Sequence, residues 1–286
     1  MDAGNHYDQA EANATTLGEA LDRYAREVTP GKKGAKQELI RIAAWKRSVL
    51  ADRPLSKVRG MDIAEWRDER LAAGRAPTMV RNNLVIISHL YTVARTDWGM
   101  TGLSNPVQDI RLPKPGPGRD RRLVDDEEGR LLDAAPPQMR EAIIVLIETA
   151  MRRGELVSLR WEHIDLQSGV ARIQDTKTGT PRDVPLSPRA IDTLFSMPRR
   201  IDGMVFGYTP DSLTQGFRKV CAKAGIRDLR LYNLRHEGTS RLVESGLFGM
   251  VEIAAITGHK TMVMLRRYSH PRAADMAEKM RRGSPL

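Results

Sequence analysis

The sequence holds a single cysteine, Cys221, so no intramolecular disulfide can form, and its histidines show no zinc-ligand spacing. Long apolar runs are missing. The densest, Ala142–Ile147, is far short of the ~20 residues that a membrane-spanning helix needs. The opening Met1-Asp2-Ala3-Gly4-Asn5-His6 lacks the basic and apolar regions of a signal peptide. There is no internal repeat and no low-complexity tract, which excludes a solenoid and a disordered chain. These absences lead us to expect a soluble protein of a reducing, cytoplasmic compartment with no membrane partner and no metal.

What is present is positive charge. The 286 residues carry 46 Lys and Arg against 36 Asp and Glu, a net charge of +10, and 41% are hydrophobic. Such a chain can build real cores and suits a polyanionic partner. The excess is uneven: residues 1–110 hold 16 basic and 14 acidic side chains, residues 111–286 hold 30 and 22.

Periodicity and punctuation divide the chain at the same place. Residues 1–15 are polar and read as a flexible N-terminus. Residues 16–110 read as a four-helix domain. Thr16 and Glu19 make a capping box, a second helix covers Lys36–Leu50, Asp62 and Glu65 make another capping box, and Gly74 stops that helix. The fourth helix spans Thr78–Trp98 before Asn105-Pro106. Residues 111–122 form a Pro/Gly linker bearing Arg111, Lys114, Arg119, Arg121 and Arg122, able to follow a phosphate backbone or to act as a plain hinge. In 123–286, Asp125 is expected to cap a helix through Leu132, and Arg140–Met151 to be a buried helix. A short helix at Glu155–Arg160 and strands at 169–173 and 182–186 should follow. Later helices are expected at Ser187–Ser196, Ser212–Ala224, Leu234–Ser245, Met250–Ile256, Thr261–Arg267 and Arg272–Arg281. The fold class is mainly α with a small antiparallel sheet.

Several side chains could carry chemistry. Arg152 and Glu155 stand at i, i+3, where the acid can orient the base. Arg235 opens another apolar helical pattern. Two arginines could clamp the non-bridging oxygens of one phosphate, although each alone also suits a structural salt bridge. Lys177, at a hairpin tip, could protonate a leaving oxygen or be a solvated turn residue. Tyr268 follows His259 by nine residues. A phenol with a pKa near 10 needs cationic surroundings to attack at neutral pH, and a helix-end structural tyrosine is the other reading. Arg218, Lys219 and Lys223 share one predicted helix, as contacts to a polyanion such as nucleic acid or as a solvated basic face.

The order and spacing of Arg152-x-x-Glu155, Lys177, Leu234-Arg235-His236, Gly258-His259 and Arg267-Tyr268 resemble the tyrosine recombinase (phage integrase) family over Leu123–Pro271. The helical block 16–106 resembles that family's core-binding domain. Within the family, residues 118–123, 148–171 and 250–270 look most like shufflon-type DNA invertases. The resemblance implies a two-domain, C-shaped clamp on duplex DNA. It implies a nucleophilic Tyr268 that forms a 3′-phosphotyrosyl link, with phosphate held by Arg152, Arg235 and His259. Lys177 would serve as general acid and Glu155 as support, with neither metal nor ATP. It also implies a homotetramer on paired recombination sites, with Arg272–Arg281 packing on a neighbour, in a bacterial or phage-encoded, nucleoid-associated protein. Inversion, excision and integration stay open, as do a type IB topoisomerase and a decayed, binding-only relative. The short stretch before the first helix argues against an N-terminal arm-binding domain. One position departs from the pattern: Tyr232 stands three residues before Arg235, where the family usually has histidine, and Asn233 replaces the usual acid. Tyrosine can donate a hydrogen bond to phosphate but is a poor base. His236 is expected to point away from the Arg235 face and to be structural.

Overall fold

The computed structural model describes residues 10–116, 118–174, 181–268 and 281. Lys177 and the segment expected to be a helix at Arg272–Arg281, apart from Arg281, lie outside them. The chain divides into two compact units, Met1–Gly118 and Arg119–Leu286.

In the first unit, residues 10–14 are helical and Ala12 is buried, so order begins inside the stretch expected to be flexible. Helix α1 (Leu17–Glu27) starts at the Thr16 capping box: the Glu19 amide donates to Thr16 Oγ1 at 3.2 Å, and the Thr16 amide donates to Glu19 Oε2 at 2.8 Å. Helix α2 (Ala35–Lys46) ends four residues before the expected Leu50. Helix α3 (Gly60–Ala72) begins earlier than expected. Asp62 is not its cap but its third residue, and accepts the Arg59 amide at 2.8 Å. Gly74, at φ 74°, takes the left-handed position that ends it. Helix α4 (Pro77–Thr96) supplies Leu84, Ile87, Leu90 and Tyr91 to a core shared with Leu17, Leu21, Tyr24 and Trp45. The Trp45 indole stacks on Trp66 and donates to the Asn83 carbonyl at 3.1 Å.

In the second unit, α5 (Glu127–Ala134) does not start at an Asp125 cap. Asp125 sits in a turn at φ 48°, and the Glu127 carboxylate accepts the Val124 amide at 3.1 Å instead. Helix α6 (Pro137–Thr149) runs through the core with Ile143, Leu146 and Ile147 buried. Ala150 then turns left-handed, at φ 49°, and delivers the chain into α7 (Arg153–Val157). Three short strands form an antiparallel sheet in the order β1 (Ile164–Asp165), β2 (Val170–Ile173), β3 (Arg182–Pro185). The two-residue β1 was not expected. Ile173 pairs with Arg182, and Val184 is buried on β3. The period of two puts Arg182 on the face of Val184, toward the interior. Helices α8 (Pro188–Phe195), α9 (Pro210–Lys223), α10 (Leu231–Glu244), α11 (Met250–Thr257) and α12 (Met262–Leu265) follow, and a 3-10 turn at Arg266–Tyr268 closes the described segment. Proline opens α4, α6, α8 and α9 at the position that has no amide to satisfy. Helices α6 and α9 start earlier than the expected Arg140 and Ser212.

Candidate active site

Arg152 stands at the amino end of α7, placed by the sharp turn at Ala150. Its Nη1 donates to Glu155 Oε1 at 2.8 Å, its own amide donates to Glu155 Oε2 at 2.8 Å, and its Nη2 donates to the Gly258 carbonyl at 2.6 Å. Glu155, only 2% exposed, also accepts two hydrogen bonds from Arg182, at 2.7 and 2.8 Å. Burial works to raise its pKa. The hydrogen bonds from Arg182 and the Arg152 amide overcome this and bring it down to about 2, so it is a fixed anion. Arg182 Nε reaches the Ile256 carbonyl at 3.0 Å, which ties β3, α7 and α11 into one frame. Arg182 was not among the expected site residues, although its parity with Val184 was a usable signal.

Arg235 is buried on α10. Its Nη1 donates to the Ala150 carbonyl at 2.7 Å, and Nη2 lies 3.3 Å from Nε2 of His259. Burial and the charge of Arg152 lower its pKa. His259 follows Gly258, which ends α11 in the left-handed conformation at φ 68°. The tautomer of His259 follows from its neighbours. Thr257 Oγ1 donates its single proton to the Ile253 carbonyl at 2.6 Å, so Nδ1–H of His259, 2.6 Å away, must donate to Thr257. Nε2 is then a lone pair facing Arg235. Burial, Arg235 and Arg152 push the His259 pKa down to about 4, which keeps the ring neutral near pH 7.

Tyr268 ends the 3-10 turn. Burial raises its pKa, with Arg235 and Arg267 pulling the other way, so the resting group is a phenol. Its ring centroid lies 6.2 Å from that of His259. Its Oη lies 2.7 Å from Nδ1 of His236, the histidine expected to point away from the Arg235 face. Arg235 and His236 are neighbours on one helix, yet each meets a different element of the site: Arg235 reaches His259 after α11, and His236 reaches the 3-10 turn. Tyr232 is 61% exposed, sits edge-on to His236 at 5.2 Å and lines a cavity of about 350 Å³ with Arg152, Arg153, Arg230 and Arg235. Asn233 is structural: its side chain accepts the Arg230 amide at 2.8 Å and donates to the Arg121 carbonyl at 2.9 Å. Arg152, Glu155, Arg235, His259, Tyr268 and Tyr232 thus share one region, and Lys177 lies outside the described residues.

The expected DNA contacts separate into two groups. Three linker arginines are held by carboxylates of their own chain: Arg119 by Asp228, Arg121 by Glu127 at 2.5 Å, and Arg122 by Glu237 at 3.1 Å and by Glu244. Lys223 donates to the Ala134 carbonyl at 3.1 Å. Lys114, Arg218 and Lys219 are exposed. No helix among the described residues is long and apolar enough to cross a membrane.

A helical domain with a small sheet that brings two arginines, a histidine and a tyrosine into one region has the components of a phosphoryl-transfer enzyme acting through a protein nucleophile. The phage integrase family model matches residues 121–275. The chain is 43% identical over 279 residues to the shufflon-specific DNA recombinase of Escherichia coli, covering 93% of this chain and 71% of that protein. The Tn1549 transposon integrase, solved with a circular intermediate DNA, superposes with a TM-score of 0.77 at 17% identity, over 94% of this chain and 99% of the other. A lambda integrase tetramer bound to a Holliday junction gives 0.73 at 22% identity, over 88% and 80%. The chain belongs to the phage integrase family: it is a tyrosine recombinase, an enzyme of site-specific DNA recombination.

Proposed function

We propose that Tyr268 is the nucleophile of this recombinase and that Arg152 and Arg235, which line one cavity, receive the scissile phosphate of a duplex recombination site. The observation that carries the assignment is the convergence of Arg152, Arg235, His259 and Tyr268 from four separate elements. Arg152 and Arg235 take the two non-bridging oxygens and meet the charge that grows in the transition state. Tyr268 Oη bonds to phosphorus while the bond from phosphorus to the 5′-oxygen breaks. The phenol proton passes to Nε2 of His259, the ring nitrogen left unprotonated. The imidazolium so formed then donates to the phosphate. Lys177 supplies the proton of the departing 5′-oxygen. The 3′-phosphotyrosyl bond keeps the phosphoester energy, and attack by a new 5′-hydroxyl reverses every step. Glu155 and Arg182 hold Arg152 in place. Tyr232, at the cavity edge, contributes a hydroxyl to the phosphate rather than a base.

The partner is double-stranded DNA, and strand exchange takes place in a homotetramer on two paired sites. Inversion of the segment between the sites is the outcome favoured by the likeness to the shufflon-specific recombinase. Lys114, Arg218 and Lys219 supply backbone contacts. The test is a suicide substrate nicked beside the cleavage site, on which the wild-type protein should accumulate a covalent adduct. Tyr268→Phe should bind the same duplex and yield none. An adduct with the phenylalanine variant would refute the assignment.

A further inference from the structure

The slot that the family fills with histidine holds Tyr232 here. One helical turn further along α10, on the same face, stands His236, and it touches the nucleophile. The residues around it fix the role it can play. Nε2 of His236 lies 3.3 Å from Nη1 of Arg267. A guanidinium can only donate, so Nε2 must accept. A neutral imidazole then carries its proton on Nδ1, and the 2.7 Å contact runs from His236 Nδ1–H to the oxygen of Tyr268. Burial and the charge of Arg267 lower the pKa of His236, which favours the neutral ring. The reverse tautomer would face one N–H against another at Arg267.

We infer that His236 is a catalytic hydrogen-bond donor to the attacking oxygen: Arg267 polarises its ring, and its Nδ1–H stabilises the negative charge that Tyr268 Oη acquires as it attacks phosphorus. His236 is therefore not a substitute base for the missing histidine. The phenol proton still leaves toward His259, and no atom transfers to or from His236 during cleavage. The Tyr232 ring stands nearly perpendicular to the imidazole and helps to fix its orientation. The α10 histidine that meets the nucleophile stands immediately after Arg235, not three residues before it. This inference rests on Tyr268 being the nucleophile.

Asparagine and aspartate decide the matter, because the amide nitrogen of asparagine falls near the position of Nδ1, whereas aspartate fills the same space and can only accept. Cleavage rates are measured on the nicked duplex, at protein concentrations that saturate binding, for wild type, His236→Asn, His236→Asp and His236→Ala. Loss of one such donor costs roughly 10²- to 10³-fold in other enzymes. The alanine and aspartate variants should fall by about that much, and the asparagine variant by no more than about tenfold. If alanine cannot be folded, the asparagine–aspartate pair carries the comparison alone. An asparagine variant as slow as aspartate or alanine would overturn the inference, since a base or a packing residue is not rescued by a neutral donor. Full activity of the alanine variant would overturn it as well. A wild-type protein that forms no adduct would instead remove the reading of Tyr268, and this inference with it.

Discussion

Glu155 shows how one residue can hold a site together. It receives the guanidinium groups of Arg152 and Arg182 and the Arg152 amide at 2% exposure. Removing one partner of a buried ion pair leaves the others uncompensated, at a cost of about 3–5 kcal/mol. Glu155→Ala should therefore lower the unfolding free energy by about 3 kcal/mol in urea titrations, and should slow cleavage because Arg152 loses its orientation. A loss below ~1 kcal/mol would show that solvent replaces the carboxylate. The residues legible from sequence are those whose identity and spacing are themselves the signal: Arg152, Glu155, Arg235, His259 and Tyr268. Arg182 was not read and His236 was read as structural, because their contacts depend on elements distant in the chain. Arg182 needs the register of β3 against α7 and α11. His236 needs the 3-10 turn, 31 and 32 residues downstream, to bring Arg267 and Tyr268 against α10.

At the scale of elements, most helices among the described residues and the antiparallel pairing of β2 with β3 followed from periodicity, whereas the ends of helices followed from caps. The Thr16–Glu19 box marked a true start. At Asp62 and Glu127 the carboxylate sits at or just inside the start of the helix and accepts a preceding amide, so a capping residue read from sequence alone was placed wrongly. The packing of α10 against α6 was not legible at all. A Cβ on Gly238 would stand 2.2 Å from the Ile147 carbonyl oxygen, and backbone cannot yield as a flexible side chain can. Gly238 thus sets the close approach that lets Arg235 reach the Ala150 carbonyl. Overpacking typically costs about 1–3 kcal/mol. Gly238→Ala should fall at the upper end, near ~3 kcal/mol, with a lower melting temperature in calorimetry. A melting temperature equal to that of wild type would mean that α10 and α6 separate at little cost.

For the molecule as a whole, net charge pointed to a polyanion, and the structure sorts which charges are available to one. Arg121 and Arg122 lie in ion pairs with Glu127, Glu237 and Glu244. Their replacement by alanine should reduce stability more than it changes the salt dependence of DNA binding. Arg218 and Lys219 are exposed on α9. Each replacement there should weaken binding to any duplex and lower the slope of log K against log salt by about 1. Slopes measured by fluorescence anisotropy between 50 and 200 mM salt would separate the two groups. An unchanged slope for the Arg218→Ala, Lys219→Ala double variant would remove α9 from the DNA interface.

The most direct measurement is chemical. The adduct trapped on a nicked recombination site is digested with protease and nuclease, and the phosphorylated peptide is sequenced by mass spectrometry. The expected peptide carries a nucleotide joined through its 3′-phosphate to Tyr268. A nucleotide on another side chain, or one joined through a 5′-phosphate, would contradict the assignment of Tyr268 as the nucleophile.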